Sequence, residues 1–568
     1  MTTYPLPNDF VPSDLDALDW DQLQPLYTAL IERKLNCGGC LEQLLLDRSE
    51  LDAAASEAQA DVYIRMTCHT DDEDAKKAYL HFVEHVEPKL KDVSFQLDRR
   101  IVQCPFADDL DQERYGVYLR NLDADVKLFR EENIPLQTDD TKLGQQYDEI
   151  CGAMSIEFDG EEYTMPQMGR FVQENDRSVR ERAWTSIVER RYRDHEPIDG
   201  FFDRMVAIRD EVARNADHEN YMEYAFAAMH RFDYTPADCQ SFHRAAREIC
   251  VPIHHELNRE RARLLGVDVL RPWDLEVDVH GRDPLRPFEG ADDLVDRTSR
   301  LFHRMDGSLG GMFDTMRGGD SLDLESRKGK APGGYQYNRD RRRVPFIFMN
   351  AAGLQRDLVT MVHEAGHAFH SILSKDDPLV AYRHAPIEFA EVASMSMELL
   401  AHPFLEEFYD EEAADRARRA HLEDLVRTLS WIAQIDAFQH WIYTHPDHTS
   451  EQRDIYWLEL DGLYGADVSW EGFEAQRAKA WHRQLHLFRV PFYYIEYGIA
   501  QLGALQLWMQ YRQDRGQAIE NYRRAMTLGG SRPLPELFEA ADLTFDFGPD
   551  TMKRLMDEVQ GELATLPA

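Results

Sequence analysis

Two histidines and a glutamate with a fixed spacing are the residues of this chain that could most directly carry out chemistry together. His363, Glu364 and His367 form an HExxH motif. On a helix, residues four apart lie on one face, one turn apart, so the two imidazoles can bind one metal ion. Glu364 is next to His363 and can reach a water molecule at that ion without binding the ion. The motif therefore predicts the site of a zinc-dependent hydrolase.

The sequence around the motif predicts that its helix is buried. Apolar residues dominate at 358–362 and at 368–373, nearly all round the helix. Histidine and glutamate are rarely buried without a partner, so this setting favours a metal site over a solvated helix with two surface histidines. Gly366 lies mid-helix, where glycine costs about 1 kcal/mol relative to alanine, which predicts that another element packs very close to the backbone. Asp357 is expected to cap the start of the helix.

A catalytic zinc site needs a third protein ligand. His370 is two turns from the first histidine, and we expect it to serve in packing or to support a ligand. The next predicted helix, 387–400, carries Glu388, Glu391 and Glu398 on one face among apolar residues. Spacing leaves Glu388 and Glu391 open as the third ligand, and Glu398 could steady a ligand histidine.

Composition and charge limit the class of protein. The chain has 568 residues, of which 43% are hydrophobic and 30% are charged, as in ordinary soluble globular proteins. Subtracting 104 acidic from 64 basic residues gives a net charge of −40, which argues against binding to nucleic acid or to an anionic membrane. There is no apolar run of membrane-spanning length, and the first ten residues lack the pattern of a signal peptide. We expect a cytoplasmic protein.

The seven cysteines are expected to be reduced thiols in such a protein. Cys37 and Cys40 form a CxxC pair, which raises the alternative of a thiol-redox or metal-binding protein. A second CxxC and a preceding strand are both missing from the pattern, so the sequence does not favour that alternative.

Hydrophobic periodicity predicts a mainly helical chain. Helices are expected at 19–35 and 74–102, and the run 139–141 is expected to cap another. Alternation about Asp159-Gly160 predicts a β-hairpin. We expect an N-terminal helical lobe at 1–195 and a catalytic helical domain at 196–568.

A short antiparallel strand pair is predicted directly before the motif helix. The two strand-like segments are 329–338 and 344–350. The edge of such a pair could hold an extended peptide through backbone hydrogen bonds, or the pair could serve only as structure. Both interpretations fit the sequence.

Two segments of the sequence resemble those of a known family. HEAGHAFH at 363–370 followed by FAEVASMSME at 389–398 looks like the thimet oligopeptidase / oligoendopeptidase F family of zinc metallopeptidases. The resemblance extends over the chain from about residue 100 onward and includes the glycine-rich approach at Gly333 and Gly334, which it implies lies close to the site. It implies a mainly α fold, two-lobed with a deep central channel, and a small sheet beside the zinc helix.

The resemblance also implies roles for individual residues. One Zn²⁺ per chain would be bound by His363, His367 and Glu391, with Glu364 as general base. The aromatic segment 486–501 would face the zinc. There His486, Tyr494 and Tyr497 would bind substrate and stabilise the oxyanion of the tetrahedral intermediate. Tyr494 and Tyr497, three apart, can share a helix face, whereas Tyr493 would point elsewhere if this segment is helical.

The sequence therefore predicts an endopeptidase that hydrolyses short unfolded peptides, without nucleic-acid or membrane partners. One alternative is a metallocarboxypeptidase or peptidyl-dipeptidase of similar helical architecture. An alternative of another class is a peptide-binding protein that has lost catalysis, although the intact motif argues against it.

Overall fold

The computed structural model describes residues 10–318, 320–331 and 333–568, and these residues are mainly helical, as predicted. The first half of the chain forms α1 (Trp20–Glu32), α2 (Gly38–Cys68), α3 (Glu73–His81), α4 (Glu87–Val102), α5 (Gln112–Leu128), α6 (Asn133–Gly152), β1 (Ser155–Phe158), β2 (Glu161–Thr164), α7 (Met165–Met168), α8 (Arg177–Tyr192), α9 (His195–Asn215), α10 (Tyr221–Ala228), α11 (Pro236–Ala245) and α12 (Val251–Leu265). The second half forms α13 (Gly290–Met305), α14 (Gly307–Arg317), β3 (Leu322–Glu325), β4 (Tyr335–Arg339), β5 (Val344–Ala351), α15 (Gln355–Ser374), α16 (Val380–Arg383), α17 (Ile387–Leu400), α18 (Glu411–Thr444), α19 (Ser450–Tyr464), α20 (Glu474–Ala478), α21 (Leu485–Arg489), α22 (Tyr494–Gln513), α23 (Arg515–Met526), α24 (Leu534–Ala540) and α25 (Pro549–Leu563).

Short 3₁₀ and π-helical segments connect several of these helices. The 3₁₀ segments are Ala107–Asp109, Phe171–Gln173, Pro272–Asp274, His402–Glu407 and Ala480–Arg483, and the π segments are Phe82–Val86 and Ala246–Cys250.

The chain divides into two compact units, each built from three stretches. Unit 1 comprises the chain up to Lys127, Arg286–Ala414 and Gly503–Phe545, and unit 2 comprises Leu128–Leu285, Asp415–Leu502 and Asp546–Ala568. The predicted boundary between residues 195 and 196 lies inside unit 2, so the units and the predicted domains divide the chain differently. The two predicted domains and the central channel stay predictions.

Two small sheets occur among the described residues. The predicted hairpin forms in unit 2, where β1 and β2 pair antiparallel, and Asp159 and Gly160 both take the positive φ that this turn needs. In unit 1 the strand order is β3-β5-β4, and the predicted antiparallel pair β4–β5 is confirmed. The parallel partner β3 was not predicted, because its four residues are too few to show an alternating pattern.

Helix α6 corrects one prediction about the ends of helices. The run 139–141 was expected to cap a helix, but it lies inside α6. The carboxylate of Asp140 instead accepts a hydrogen bond from the guanidinium of Arg209 at 3.1 Å. Asp140 therefore takes part in a tertiary ion pair, and the prediction of a cap was wrong.

The cysteines correct a second prediction. Cys37 and Cys40 lie at the start of α2 and are joined in a disulfide, so the expectation of seven reduced thiols is wrong for these two. The other five are free thiols, and four of them are buried.

Helices α15 and α17 pack face to face at the centre of the site described below. Both helices are largely apolar and buried, and their buried residues include Met361, Ala365 and Phe369 on α15 and Phe389 and Val392 on α17. The predicted close approach is present at the glycine of the motif. A Cβ atom on Gly366 would lie 2.5 Å from Cα of Ser394 and 2.6 Å from the carbonyl oxygen of Ala393. Only glycine permits this contact.

None of the described helices is both long and apolar enough to cross a bilayer.

We expect Gly366→Ala to destabilise the protein, because its methyl group would force α17 away from α15. Overpacking of this kind costs about 1–3 kcal/mol, more than the gain in helix propensity of about 1 kcal/mol. Gly311→Ala in α14 is the matched control, since nothing lies within 4 Å of its Cβ position. Thermal unfolding should show a lower midpoint for Gly366→Ala and an unchanged or higher one for Gly311→Ala. Equal midpoints for the two variants would contradict the close-packing argument.

Candidate active site

Three side chains from α15 and α17 converge in unit 1. Nε2 of His363 lies 3.4 Å from Oε2 of Glu391, and Nε2 of His367 lies 3.6 Å from the same oxygen. The two imidazole centroids are 4.9 Å apart. These ligand atoms all lie within 4.8 Å of one another, so the three side chains form a group that could hold one metal ion.

Two hydrogen bonds orient this group. Nδ1 of His363 lies 2.6 Å from Oε1 of Glu398 and donates its proton there, so a ring that loses its second proton presents the lone pair of Nε2 to the group. The hydroxyl of Ser394 donates to Oε2 of Glu391 at 2.9 Å. A carboxylate behind a ligand histidine is the usual support of a zinc site, because it fixes the ring and its tautomer.

The side chain of Glu364 extends from α15 to the edge strand β4. The direction of the backbone groups in β4 follows from its neighbour β5. Within β5, Ile347 donates its backbone N–H to the carbonyl oxygen of Ser321, on the side of β3 and away from β4. Gln336 is opposite Ile347 in the antiparallel ladder, so its own N–H and C=O point away from β5. Burial raises the pKa of Glu364 to about 7. The hydrogen bond from the backbone N–H of Gln336 to this carboxyl lowers the same pKa, but by less than burial raises it. A buried carboxyl with this pKa is suited to accept and return a proton near neutral pH.

The electrostatics of the group fit a cation. Glu364 and Glu391 are both buried, and neither has a lysine or arginine partner within the described ranges. Burial lowers the pKa of His363, but its hydrogen bond to Glu398 and the surrounding carboxylates outweigh burial and raise the pKa to about 9. Two imidazole nitrogens and one carboxylate oxygen are the donors of a His₂Glu catalytic zinc site. The residues present therefore fit zinc.

The other predicted residues on these two helices have different positions. His370 is buried against Phe389, with 6.0 Å between ring centroids, and it does not join the group. Glu388 is buried and is also outside the group. Geometry thus favours Glu391 where spacing left the two glutamates open. Asp357 accepts the backbone N–H groups of Ala352 and Leu354 at 2.7 and 3.0 Å, so it caps the start of α15, as predicted.

The glycine-rich approach lies beside the motif helix. Gly333 has φ +101°, which other residues rarely adopt, and its carbonyl accepts a hydrogen bond from the amide of Asn350 at 2.9 Å. A Cβ on Gly334 would lie 3.3 Å from Cγ2 of Thr360 on α15. Both glycines therefore allow the chain to enter β4 close to the helix.

The contact of Tyr522, on α23, with both α15 and α17 was not predicted. Its buried hydroxyl lies 3.4 Å from the carbonyl oxygens of both Gly366 and Ala393, one on each of the two packed helices. It donates to these carbonyls at the point of closest approach. Nothing in the local sequence of α23 distinguishes this tyrosine from an ordinary core residue.

The predicted aromatic residues form a cluster in unit 2. The ring of His486 on α21 lies 4.8 Å from Tyr494 and 6.0 Å from Tyr497, both on the first turn of α22. These two tyrosines lie 5.5 Å apart, on one helix face as predicted. Tyr493 does not point elsewhere, because its ring is 5.4 Å from Tyr497. The prediction for Tyr493 assumed that the residue is helical, but Tyr493 lies in the turn before α22.

A neighbouring amide sets the hydrogen-bonding role of His486. Nε2 of Gln484 donates to Nδ1 of His486 at 2.7 Å. Burial lowers the pKa of His486, which favours the neutral ring. A neutral imidazole that accepts at Nδ1 carries its proton on Nε2, so this histidine presents a hydrogen-bond donor.

Comparison with known families identifies the chain. The model of Peptidase family M3 matches residues 170–290 and 310–554, which include all three members of the metal-binding group, and the model of the Peptidase M3 N-terminal domain matches residues 10–129. The chain belongs to peptidase family M3. The resemblance to oligoendopeptidase F proteins is confirmed by curated relatives and by solved structures.

The curated relatives of this M3 chain match over part of their length. An oligoendopeptidase F homolog of Borreliella burgdorferi is 26% identical over 210 residues, 35% of each chain. Group B oligopeptidase PepB of Streptococcus agalactiae is 23% identical over 56% of this chain and 53% of its own. Oligopeptidase PepF of Bacillus subtilis is 26% identical over 42% of this chain and 38% of its own. The matches thus span about a third to a half of these relatives.

Solved structures match the whole M3 chain. PZ peptidase A with an inhibitor has a TM-score of 0.90 at 27% identity, and the match covers 98% of this chain and 99% of that one. A proposed oligoendopeptidase F from Bacillus anthracis strain Ames has a TM-score of 0.85 at 26% identity, covering 98% of each chain. The fold is therefore that of these peptidases.

We expect Glu391→Gln to lose zinc, because it removes the carboxylate from the group that could hold the ion. Removing a residue that is hydrogen-bonded to a metal ligand weakens metal affinity by roughly 10–100-fold. Removing a side chain that binds the metal directly should weaken the affinity by more. Glu388→Gln is the matched control on the same helix and should bind zinc as tightly as the unaltered protein. Competition with a chromophoric chelator measures both affinities, and thermal unfolding checks that each variant folds. Zinc loss in Glu388→Gln alone would assign the third ligand to Glu388.

Proposed function

We propose that this M3 chain is a zinc-dependent endopeptidase that hydrolyses short unfolded peptides. The observation that carries the proposal is the convergence of His363, His367 and Glu391, with the buried carboxyl of Glu364 beside them. Membership of a peptidase family and the names of the similar oligopeptidases support the reaction class. A cytoplasmic location remains a prediction from the sequence.

His363, His367 and Glu391 would hold one Zn²⁺ in this site, and Glu398 would keep the first imidazole in the required tautomer. Bound zinc supplies Lewis acidity, which polarises a peptide carbonyl and lowers the pKa of water. Glu364 takes the proton of the attacking water and delivers it to the leaving amine. The buried position of Glu364, which raises its pKa to about 7, suits both steps.

The outer edge of β4 supports extended binding of the substrate. The backbone groups of Gln336 point away from β5, on the side where Glu364 lies. An extended peptide along this edge would form ladder hydrogen bonds with β4 while its scissile bond faces the motif helix. This arrangement selects unfolded segments, because a folded protein does not offer a free strand.

His486, Tyr494 and Tyr497 would donate hydrogen bonds to the oxyanion of the tetrahedral intermediate. Support comes from their mutual proximity and from the proton that His486 carries on Nε2. A donor aimed at the developing charge stabilises it by roughly 3 kcal/mol.

The direct test is mass spectrometry of the products from a mixed pool of short peptides. Internal cleavage that stops with a chelator and returns with zinc is the expected result. Release of single residues or dipeptides from the C-terminus would instead favour the carboxypeptidase or peptidyl-dipeptidase alternative. Zinc binding without any cleavage would favour the inactive peptide-binding protein.

For Glu364→Gln we expect kcat to fall by about 10²–10⁴-fold, because the amide cannot accept the proton of water. Zinc content should stay at one ion in this site, since Glu364 is not a ligand. Steady-state kinetics on a quenched fluorescent peptide and metal analysis of the same preparation measure the two quantities. Activity near that of the unaltered protein would exclude Glu364 as the general base.

The oxyanion donor can be identified by removing one hydroxyl at a time. Tyr494→Phe and Tyr497→Phe keep the ring packing but lose the O–H, and loss of a true donor should lower kcat by about 10²–10³-fold with a small change in KM. Tyr493→Phe is the matched control in the same cluster. Unchanged kcat in both helix variants would remove the tyrosines from the mechanism.

A further inference from the structure

A second group of metal-ligand side chains lies in unit 2, on α11 and α18. Helix α11 carries Cys239 and His243, four residues apart, and α18 carries Asp436 and His440, also four apart. Residues four apart share a helix face, so each helix presents two such side chains together. Cys239 and Asp436 are completely buried, and the two histidines are 6% and 7% exposed.

The distances within the group are short. Nε2 of His243 donates to Oδ2 of Asp436 at 2.7 Å, and Nε2 of His440 lies 3.2 Å from the same oxygen. The ligand atoms of Cys239, Asp436 and His440 all lie within 4.8 Å of one another. Bonds of about 2.0–2.3 Å to a tetrahedral zinc ion place ligand atoms about 3.3–3.8 Å apart, so the group can close around an ion through side-chain shifts of about 1 Å.

Polar atoms of the group are left without partners. Oδ1 of Asp436 and both ring nitrogens of His440 are buried, and among the described residues none has a partner with hydrogen-bond geometry. Leaving such buried polar groups unsatisfied destabilises the folded state. Asp436 also lacks a lysine or arginine partner in the described part of the chain. A bound cation would satisfy the carboxylate and one imidazole nitrogen at once.

The surroundings favour a cation that prefers sulfur and nitrogen. Phe226 and Phe492 lie 6.4 and 5.8 Å from the ring of His440 and shield it from water. The nearby cation Arg231 is itself paired with Glu496 at 2.7 Å, so its charge is largely balanced. A thiol, an imidazole and a carboxylate together suit Zn²⁺ or Co²⁺ better than Mg²⁺ or Ca²⁺.

We propose that Cys239, Asp436 and His440 bind a divalent transition-metal ion, with His243 holding the carboxylate in place. On binding, the thiol of Cys239 gives its proton to solvent as the sulfur–metal bond forms. The ion would join α11 to α18 and so stabilise unit 2. This site shares no residue with the peptidase site and does not depend on the proposed function.

Cobalt spectroscopy of the full-length protein tests the proposal. The chelator-treated protein is titrated with Co²⁺, and a near-ultraviolet sulfur-to-cobalt charge-transfer band is expected to saturate at one ion per chain. The peptidase group offers only nitrogen and oxygen donors, so this band reports the second site alone. Cys239→Ser should abolish the band. Cys250→Ser is the matched control, because Cys250 is also buried in unit 2 but its sulfur faces Met552.

A second measurement uses the unaltered protein, so its result does not depend on whether the Cys239→Ser variant folds. X-ray absorption of the unaltered protein loaded with Zn²⁺ should show a sulfur neighbour, and metal analysis should give two ions per chain. One ion per chain with only nitrogen and oxygen neighbours would overturn this proposal and leave the peptidase site intact. A cobalt–sulfur band that persists in Cys239→Ser would also overturn it.

Discussion

The contact between α15 and α17 at Gly366 is the constraint on which the site depends. Because no side chain separates the two backbones there, α17 comes close enough for two of its glutamates to reach the same imidazole. Glu391 approaches Nε2 of His363, and Glu398, two helical turns further on, accepts the proton of Nδ1. The hydroxyl of Tyr522 holds the carbonyls of both helices at this point. One missing Cβ atom therefore sets both the position of Glu391 and the hydrogen bond at Nδ1 of His363.

The same packing places carboxylates where folding alone would not favour them. Glu364 and Glu391 are buried without a lysine or arginine partner in the described ranges, a state that costs free energy. The apolar faces of the two helices, with residues such as Phe369 and Phe389, supply the stabilisation that keeps these charges in place. A local departure from the rules of stable packing, supported by good packing around it, is the usual signature of a functional site.

Local periodicity was enough to predict much of this arrangement. The HExxH spacing and the apolar run around it fixed the helix, its cap at Asp357 and the need for a close neighbour at Gly366. The helix at 387–400 followed from the same pattern, but the choice of Glu391 over Glu388 needed either the family resemblance or the rotation of α17 against α15. The β4–β5 pair was visible because its strands are adjacent in sequence.

Features that depend on distant parts of the chain could not be predicted. Strand β3 is too short to show a pattern. Tyr522 contacts two carbonyl groups that lie more than a hundred residues away from it along the chain. The position of Tyr493 depended on a turn that the helical pattern did not indicate. The pairs on α11 and α18 have clear i, i+4 spacing, yet nearly two hundred residues separate them. Only the fold brings such residues together.

The proposed binding of peptides along the edge of β4 has a consequence for how substrates would be positioned. Hydrogen bonding along a strand repeats every two residues, since alternate backbone groups face the same side. A peptide bound along this edge can therefore slide by two residues and regain the same set of bonds, while the residues between expose their side chains to the opposite face. Cleavage positions on one peptide would then fall into a ladder with a two-residue step, and side-chain preferences would only weight its rungs.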